Sequence, residues 1–222
     1  MTPASRPGRL ILFDLDETLI DRGAALRGWA RQFVRSRHLS YNLESFICAR
    51  LRERACPENF VELREILSLT DDPCDLWREY VDGVARSVHC FPGVRTGLDA
   101  LRSAEWVIGV ATNGEGDIQR AKLAATGLVP LFDGISISGE VGVRKPERRL
   151  FEVAAEQCGM CLSAGGWMVG DNPETDMEGA RKAGLRTLWV ANGREWPGGL
   201  REPNVMVPGI AEAIEVLQRA TV

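Results

Sequence analysis

Two aspartates stand one residue apart in Phe13-Asp14-Leu15-Asp16-Glu17-Thr18, directly after an apolar run. Side chains alternate along extended chain, so Asp14 and Asp16 leave on one side and Leu15 on the other. Carboxylates converging at a strand end repel each other, and that arrangement needs a counter-ion. Three further clusters have complementary chemistry. Ala111-Thr112-Asn113-Gly114 offers a hydroxyl, an amide and a glycine-loosened backbone, all donors for an anion. Arg144-Lys145-Pro146-Glu147 places a lysine at a helix entry, where the helix dipole disfavours a cation. Its ammonium is therefore expected to face a carboxylate or phosphate, with Arg144 left to solvent. Val169-Gly170-Asp171-Asn172-Pro173-Glu174-Thr175-Asp176 supplies hard oxygen ligands of the kind Mg²⁺ takes. Taken singly, each cluster also fits a bland role: a solvated turn, a strand-to-loop turn, or an Asn-Pro turn with Asp176 as a capping acid.

The elements around these clusters make the bland roles poor company for one another. Nearly continuous apolar runs predict strands over 9–13, 106–111, 134–137, 167–169 and 187–190, with an edge strand over 205–207. Amphipathic patterns predict helices over 94–104, 117–126, 146–157, 175–183 and 209–219. Gly127 and Gly184 serve as stops, and Pro146 sits in a first turn. Strands alternating with helices imply a doubly wound, mostly parallel, Rossmann-like α/β sheet. All four polar clusters then fall at the carboxyl ends of strands or in their outgoing loops, the edge where open α/β sheets bind ligands.

One stretch breaks the alternation. Between Arg22 and His89 the pattern is helical only, over 25–36, 43–55, 60–69 and 76–88, which is too long for an ordinary crossover. The expected organisation is an α/β core domain of residues 1–21 and 90–222, with a helical cap domain of residues 22–89 inserted after the first strand.

Composition narrows the partners. Acidic residues outnumber basic ones by 31 to 27, a net charge of −4, so there is no overall basic field for nucleic acid. No apolar run reaches the length of a membrane span. Residues 1–8 are polar and breaker-rich, without the apolar core of a signal peptide, and read as a loose tail of a cytoplasmic protein. The six cysteines are expected as reduced thiols. The Cys158–Cys161 pair follows a helical run instead of opening one, which is the wrong end for a redox motif.

With these motifs in this order, the sequence resembles the haloacid dehalogenase (HAD) superfamily, in its phosphatase branch with a helical C1-type cap. The resemblance rests on Asp14-Leu15-Asp16-Glu17-Thr18-Leu19, Thr112-Asn113-Gly114, Lys145-Pro146 with Phe151, and Gly170 through Asp176. It implies that Asp14 attacks phosphorus and becomes a transient aspartyl phosphate. It further implies that Asp16 protonates the leaving oxygen and then deprotonates the hydrolytic water. Thr112, Asn113 and Gly114 would hold phosphoryl oxygens, and Lys145 would balance the charge of Asp14 and the phosphate. Asp14, Asp171 and the carbonyl of Asp16 would bind Mg²⁺, with Asp176 in support. The physics agrees: two unit charges at roughly 4 Å repel by about 4 kcal/mol at an effective dielectric near 20, and a divalent ion plus a lysine reverses that sign.

The acid at position 16 fits protonation of an alkoxide, whereas family dehalogenases carry a non-acidic residue there. The expected substrate is a small phosphorylated metabolite. A phosphomutase of the same superfamily is the alternative enzyme, and a receiver-like phosphoacceptor the alternative of another class. Arg22, Arg27, Glu58, Asn59 and Arg64 are the polar candidates for substrate choice in the cap. The six tryptophans are expected in packing roles.

Overall fold

The apolar run after Arg9 forms β1 (Leu10–Phe13), every residue of which is buried. A strand with no exposed face must be covered on both sides, as a doubly wound sheet provides. The computed structural model describes residues 9–220; the expected tail over 1–8 lies outside them. After β1 come α1 (Arg22–Ser36), α2 (Leu43–Leu51), α3 (Pro57–Ile66) and α4 (Pro73–Ser87). Then follow α5 (Val94–Ser103), β2 (Val107–Thr112), α6 (Gly116–Ala125), β3 (Gly134–Ile137), α7 (Ser138–Val141) and α8 (Arg148–Gln157). The chain closes with β4 (Trp167–Gly170), α9 (Gly179–Ala183), β5 (Arg186–Val190), β6 (Val205–Val207) and α10 (Ile210–Arg219).

The chain divides into two compact units. The first holds the described residues up to Ile20, together with Cys90–Asn113 and the chain from Leu128 onward. Its six strands pair in the order β3-β2-β1-β4-β5-β6, and every pairing is parallel. The doubly wound parallel α/β sheet expected from the sequence is the one that forms. Strand succession runs outward in one direction from β1 to β3 and in the other from β4 to β6. The reversal between β1 and β4 opens a crevice at their carboxyl ends. Leu10 and Leu12 share a buried cluster with Phe151, Ala154, Met168 and Met177, while α5 and α10 pack on each other.

Two local differences from the expected elements lie close to the polar clusters. Pro146 does not open a helix: the Lys145–Pro146 peptide is cis, and α8 begins at Arg148. A turn closed by Glu147 N donating to Arg144 O at 2.8 Å occupies the intervening residues. The helix expected over 175–183 starts at Pro173 and is π-wound through Glu178 before α9. Its wider winding shows in Met177 N donating to Asn172 O, five residues back.

The second unit comprises Asp21–His89 and Gly114–Gly127. Asp21 caps α1 by accepting from Ala24 N at 2.7 Å, and Asp72 caps α4 through Cys74 N at 2.8 Å. Trp29, Phe33, Phe60, Trp77 and Tyr80 form its centre, with ring centroids 4.8–6.0 Å apart. Residues 114–127 were expected with the sheet but group here. Trp77 Nε1 donates to Asp117 Oδ2 at 2.5 Å, and Arg54 pairs with Glu115 at 3.0 Å.

Two residues weighed for substrate choice have structural occupations. Arg22 donates to the carbonyls of Leu51 and Arg52 at the end of α2, and Asn59 accepts from Cys56 N at the start of α3. Arg27, Glu58 and Arg64 are exposed. No helix among the described residues is long and apolar enough to cross a membrane.

Candidate active site

Strand order decides which loops meet. Asp14 N donates to Val169 O at 2.9 Å, extending the β1–β4 pairing by one residue. Asp14 therefore leaves the sheet beside Gly170 and Asp171, at the crevice between β1 and β4. The carboxylate oxygens of Asp14, Asp171 and Asp176 lie within 4.8 Å of one another. Among them reaches Lys145, 3% exposed, whose Nζ is 2.5 Å from Asp14 Oδ1 and 2.7 Å from Asp176 Oδ1. Lys145 is 131 residues from Asp14 in sequence.

Lys145 is held by a neighbour from a different loop. Asn113 Oδ1 accepts from Lys145 N at 2.8 Å, and Asn113 Nδ2 donates to Lys145 O at 3.1 Å. This two-way amide pair fixes the backbone of the lysine. It also commits the Asn113 side chain, read from the sequence as a donor to an anion, to positioning. Thr112 ends β2 and is fully buried. Gly114, expected beside it at the phosphate, begins a stretch grouped with the helices. Asp16 is half-buried and pairs with Ile20 across a tight turn. Its carboxylate stands outside the three-carboxylate group.

Asp176 turns toward Asp14 and Asp171 and does not cap the helix. Asn172, not Asp176, is the capping residue: its Oδ1 accepts from Glu174 N and Thr175 N, each at 3.0 Å. That leaves Asp176 free to turn inward, where Oδ2 accepts from Asn172 N at 3.0 Å. The approach depends on Gly170, because a Cβ there would lie 2.3 Å from Asp176 Oδ2.

The electrostatics follow from burial. Desolvation pushes the Asp14 carboxyl well above the ordinary range, with Lys145 opposing and Asp176 and Asp171 adding to the rise. Asp171 is pushed up to about 7, first by burial and then by Asp176, against the pull of Arg194. Burial alone would lower the Lys145 ammonium, but Asp14 and Asp176 more than offset it and hold it above lysine's usual value. Full ionisation of the three carboxylates against one ammonium would leave two negative charges, offset in part by the half-exposed Arg194. A set of hard oxygen donors with that imbalance fits a divalent cation such as Mg²⁺.

Several contributors were not read from the sequence. Trp189 Nε1 donates to Asp171 O at 2.8 Å, and Arg194 Nη2 lies 2.9 Å from Asp171 Oδ2. Asn192 Nδ2 donates to Glu17 O at 2.6 Å. The available signal was the Asn192-Gly193 turn at the carboxyl end of the fifth strand, on the same sheet edge as the motifs. The Cys158–Cys161 pair lies at and beyond the carboxyl end of α8. All six cysteines are free. Cys158 packs against the sheet, where a Cβ on Gly109 would sit 2.6 Å from its sulfur. Cys161 is exposed beside Ser163.

Comparison with known proteins shows the family and the fold. A family model described as haloacid dehalogenase-like hydrolase matches residues 11–190. The pyrimidine 5′-nucleotidase YjjG of Escherichia coli is 37% identical over 150 residues, 67% of this chain and 66% of that protein. The phosphoserine phosphatase of Thermus thermophilus is 38% identical over 122 residues, 55% of this chain and 49% of that protein. The matched stretches thus span less than two thirds of either relative's length. Among solved structures, the HAD-hydrolase YfnB from Bacillus subtilis superposes with a TM-score of 0.75 at 19% identity, covering 96% of this chain and 99% of that one.

Proposed function

The chain belongs to the haloacid dehalogenase-like hydrolase family, and on that footing we propose that it is a Mg²⁺-dependent phosphatase of small phosphomonoesters. The observation that carries this reading is the buried Lys145 ammonium held between Asp14 and Asp176, at 2.5 and 2.7 Å, where β1 and β4 end. The two relatives, by name a nucleotidase and a phosphoserine phosphatase, support the same class of reaction.

In this reading an oxygen of Asp14 attacks phosphorus while the ester P–O bond breaks. The leaving oxygen takes a proton from Asp16, and the phosphoryl group remains on Asp14 as an aspartyl phosphate. Asp16 then accepts a proton from water as that water attacks phosphorus, releasing inorganic phosphate and restoring the Asp14 carboxylate. Thr112 and the backbone at Asn113 and Gly114 hold the phosphoryl oxygens. Lys145 offsets the charge that builds on them. Asp14 and Asp171, with the carbonyl of Asp16, would hold Mg²⁺, and Asp176 supports that set through its approach to Asp14 and Asp171. When bound, the ion supplies positive charge that lets an anionic side chain approach an anionic ester. Residues 22–89 serve as the cap and are assigned to substrate choice.

The test is phosphate release from an aryl phosphate, followed by a panel of nucleotides, sugar phosphates and phosphorylated amino acids. Release is expected with Mg²⁺, and it should vanish on chelation and in Asp14→Asn. A purified, metal-binding protein that releases phosphate from no member of the panel would remove the proposal.

A further inference from the structure

Arg194 belongs to none of the four motifs, yet its guanidinium sits on a carboxylate assigned to the ion. It follows the turn that leaves β5. Its Nη2 donates to Asp171 Oδ2 at 2.9 Å and to the main-chain carbonyl of Asp171 at 2.7 Å. Its Nε donates to Ala191 O at 3.0 Å, fixing the guanidinium within the turn. The Asp171 carbonyl takes a second donor, Trp189 Nε1, at 2.8 Å. Both the backbone and one carboxylate oxygen of Asp171 are therefore held from the β5 side.

We propose that Arg194 makes Asp171 a one-oxygen ligand and so biases the site toward a small divalent cation over a large one. The inference rests on the reading of this site as a Mg²⁺ centre. A carboxylate has two oxygens, and the Arg194 hydrogen bond takes one lone pair of Asp171 Oδ2 and fixes the carboxylate plane, so Oδ1 is the oxygen with both lone pairs open to an ion. Mg²⁺ accepts that, because it takes six close ligands, several of them waters. Ca²⁺ takes six to eight oxygens at longer distances and often draws both oxygens of a carboxylate. Without Arg194, Asp171 is free to pivot and offer both. The charge of Arg194 contributes less, since its side chain is 47% exposed and solvent screens it. The planar fork matters more, and lysine does not reproduce it.

The experiment is calorimetric titration of the whole chain with Mg²⁺ and, separately, with Ca²⁺. The proteins are the wild type, Arg194→Gln, Arg194→Lys and Asn192→Ala. Arg194→Gln is expected to raise the ratio of Ca²⁺ to Mg²⁺ affinity about tenfold, the size of one lost charge-assisted hydrogen bond. Arg194→Lys keeps the charge but loses the fork and should move the ratio about threefold the same way. It carries the test should the glutamine variant misfold. Asn192→Ala loosens the same turn at Glu17 without touching Asp171, so its ratio should stay within about twofold of the wild type. An unchanged ratio in both Arg194 variants, with Mg²⁺ still bound, would overturn the inference. So would an equal shift in Asn192→Ala, which would make the effect one of loop order. A wild-type protein that binds no Mg²⁺ would defeat the metal reading itself, and this inference with it.

Discussion

A methyl group added at Gly170 is the smallest perturbation that reaches the centre of the site. The backbone at Gly170 is not in the left-handed region, so alanine meets no conformational penalty there and the effect is steric. The new Cβ would lie 2.3 Å from Asp176 Oδ2, 2.5 Å from its Cγ and 2.7 Å from its Cβ. Ordinary contact needs about 3.5 Å, so Asp176 must retreat by roughly 1 Å. Overpacking of this kind costs about 1–3 kcal/mol. The retreat also stretches the 2.7 Å ion pair to Lys145. At an effective dielectric of 20, lengthening it to about 3.7 Å forfeits about 1.7 kcal/mol of attraction.

Together these predict a loss of about 3–5 kcal/mol of stability, read from urea unfolding. Because Lys145 loses one of its two anchors, kcat/KM for an aryl phosphate should fall about twentyfold. The decisive control is Asp176→Gly, which removes all three atoms the methyl would strike. In that background Gly170→Ala should cost under about 1 kcal/mol. A cost below about 0.5 kcal/mol in the wild type, or an equal cost in both backgrounds, would refute the steric account.

Three other outcomes are expected. With metal withheld, stability should fall as pH rises from near 4 through about 7. The folded protein holds a proton on Asp171 up to about 7, whereas the unfolded chain releases it near the ordinary carboxylate value. Added Mg²⁺ should flatten that slope, and unfolding midpoints across the range measure both effects. At pH 8, mass spectrometry after brief alkylation should find Cys161 modified well ahead of Cys158. Burial, with Asp133 adding, pushes the Cys158 thiol up to about 12, while Ser163 lowers Cys161. Arg37→Ala should destabilise the helical unit by about 1–2 kcal/mol. It removes hydrogen bonds to Glu79 and Asp71 and a guanidinium stacked 4.1 Å from the Phe33 ring. Asp71 is held below the carboxylate range by Arg37, so the wild type's advantage should shrink as pH falls below about 4.

Much of the architecture could be read from local pattern. Leu10–Phe13 and Trp167–Gly170 are short apolar runs with no polar face, and a run of that kind finds its lowest free energy in the middle of a parallel sheet. Three of the motif clusters announced themselves in the same way, because each directly follows such a run and a strand's carboxyl end is fixed by the direction of the chain; the Lys145 cluster comes later, beyond α7. The sheet, the edge on which the polar clusters fall and the long helical stretch between β1 and α5 were thus determined by the sequence alone. Helix ends were less legible. The π-wound turn at Pro173–Glu178 depends on Asn172 as its cap, and the turn before α8 depends on Asn113 gripping Lys145.

Only the tertiary structure decided which side chains share the crevice. Asn113 and Lys145 are 32 residues apart, and Arg194 and Asp171 are 23 apart. No local periodicity encodes either meeting. Strand order does, by placing β3 against β2 and β5 against β4. The missing Cβ at Gly170 then admits Asp176, a residue whose sequence context fits a helix cap equally well. Grouping residues 114–127 with the helices was likewise a matter of contact, through Trp77 on Asp117 and Arg54 on Glu115. Hydrophobic pattern acts over a few residues and sets elements. Side-chain partnership acts through space, and it is settled only once the sheet has fixed where each loop begins.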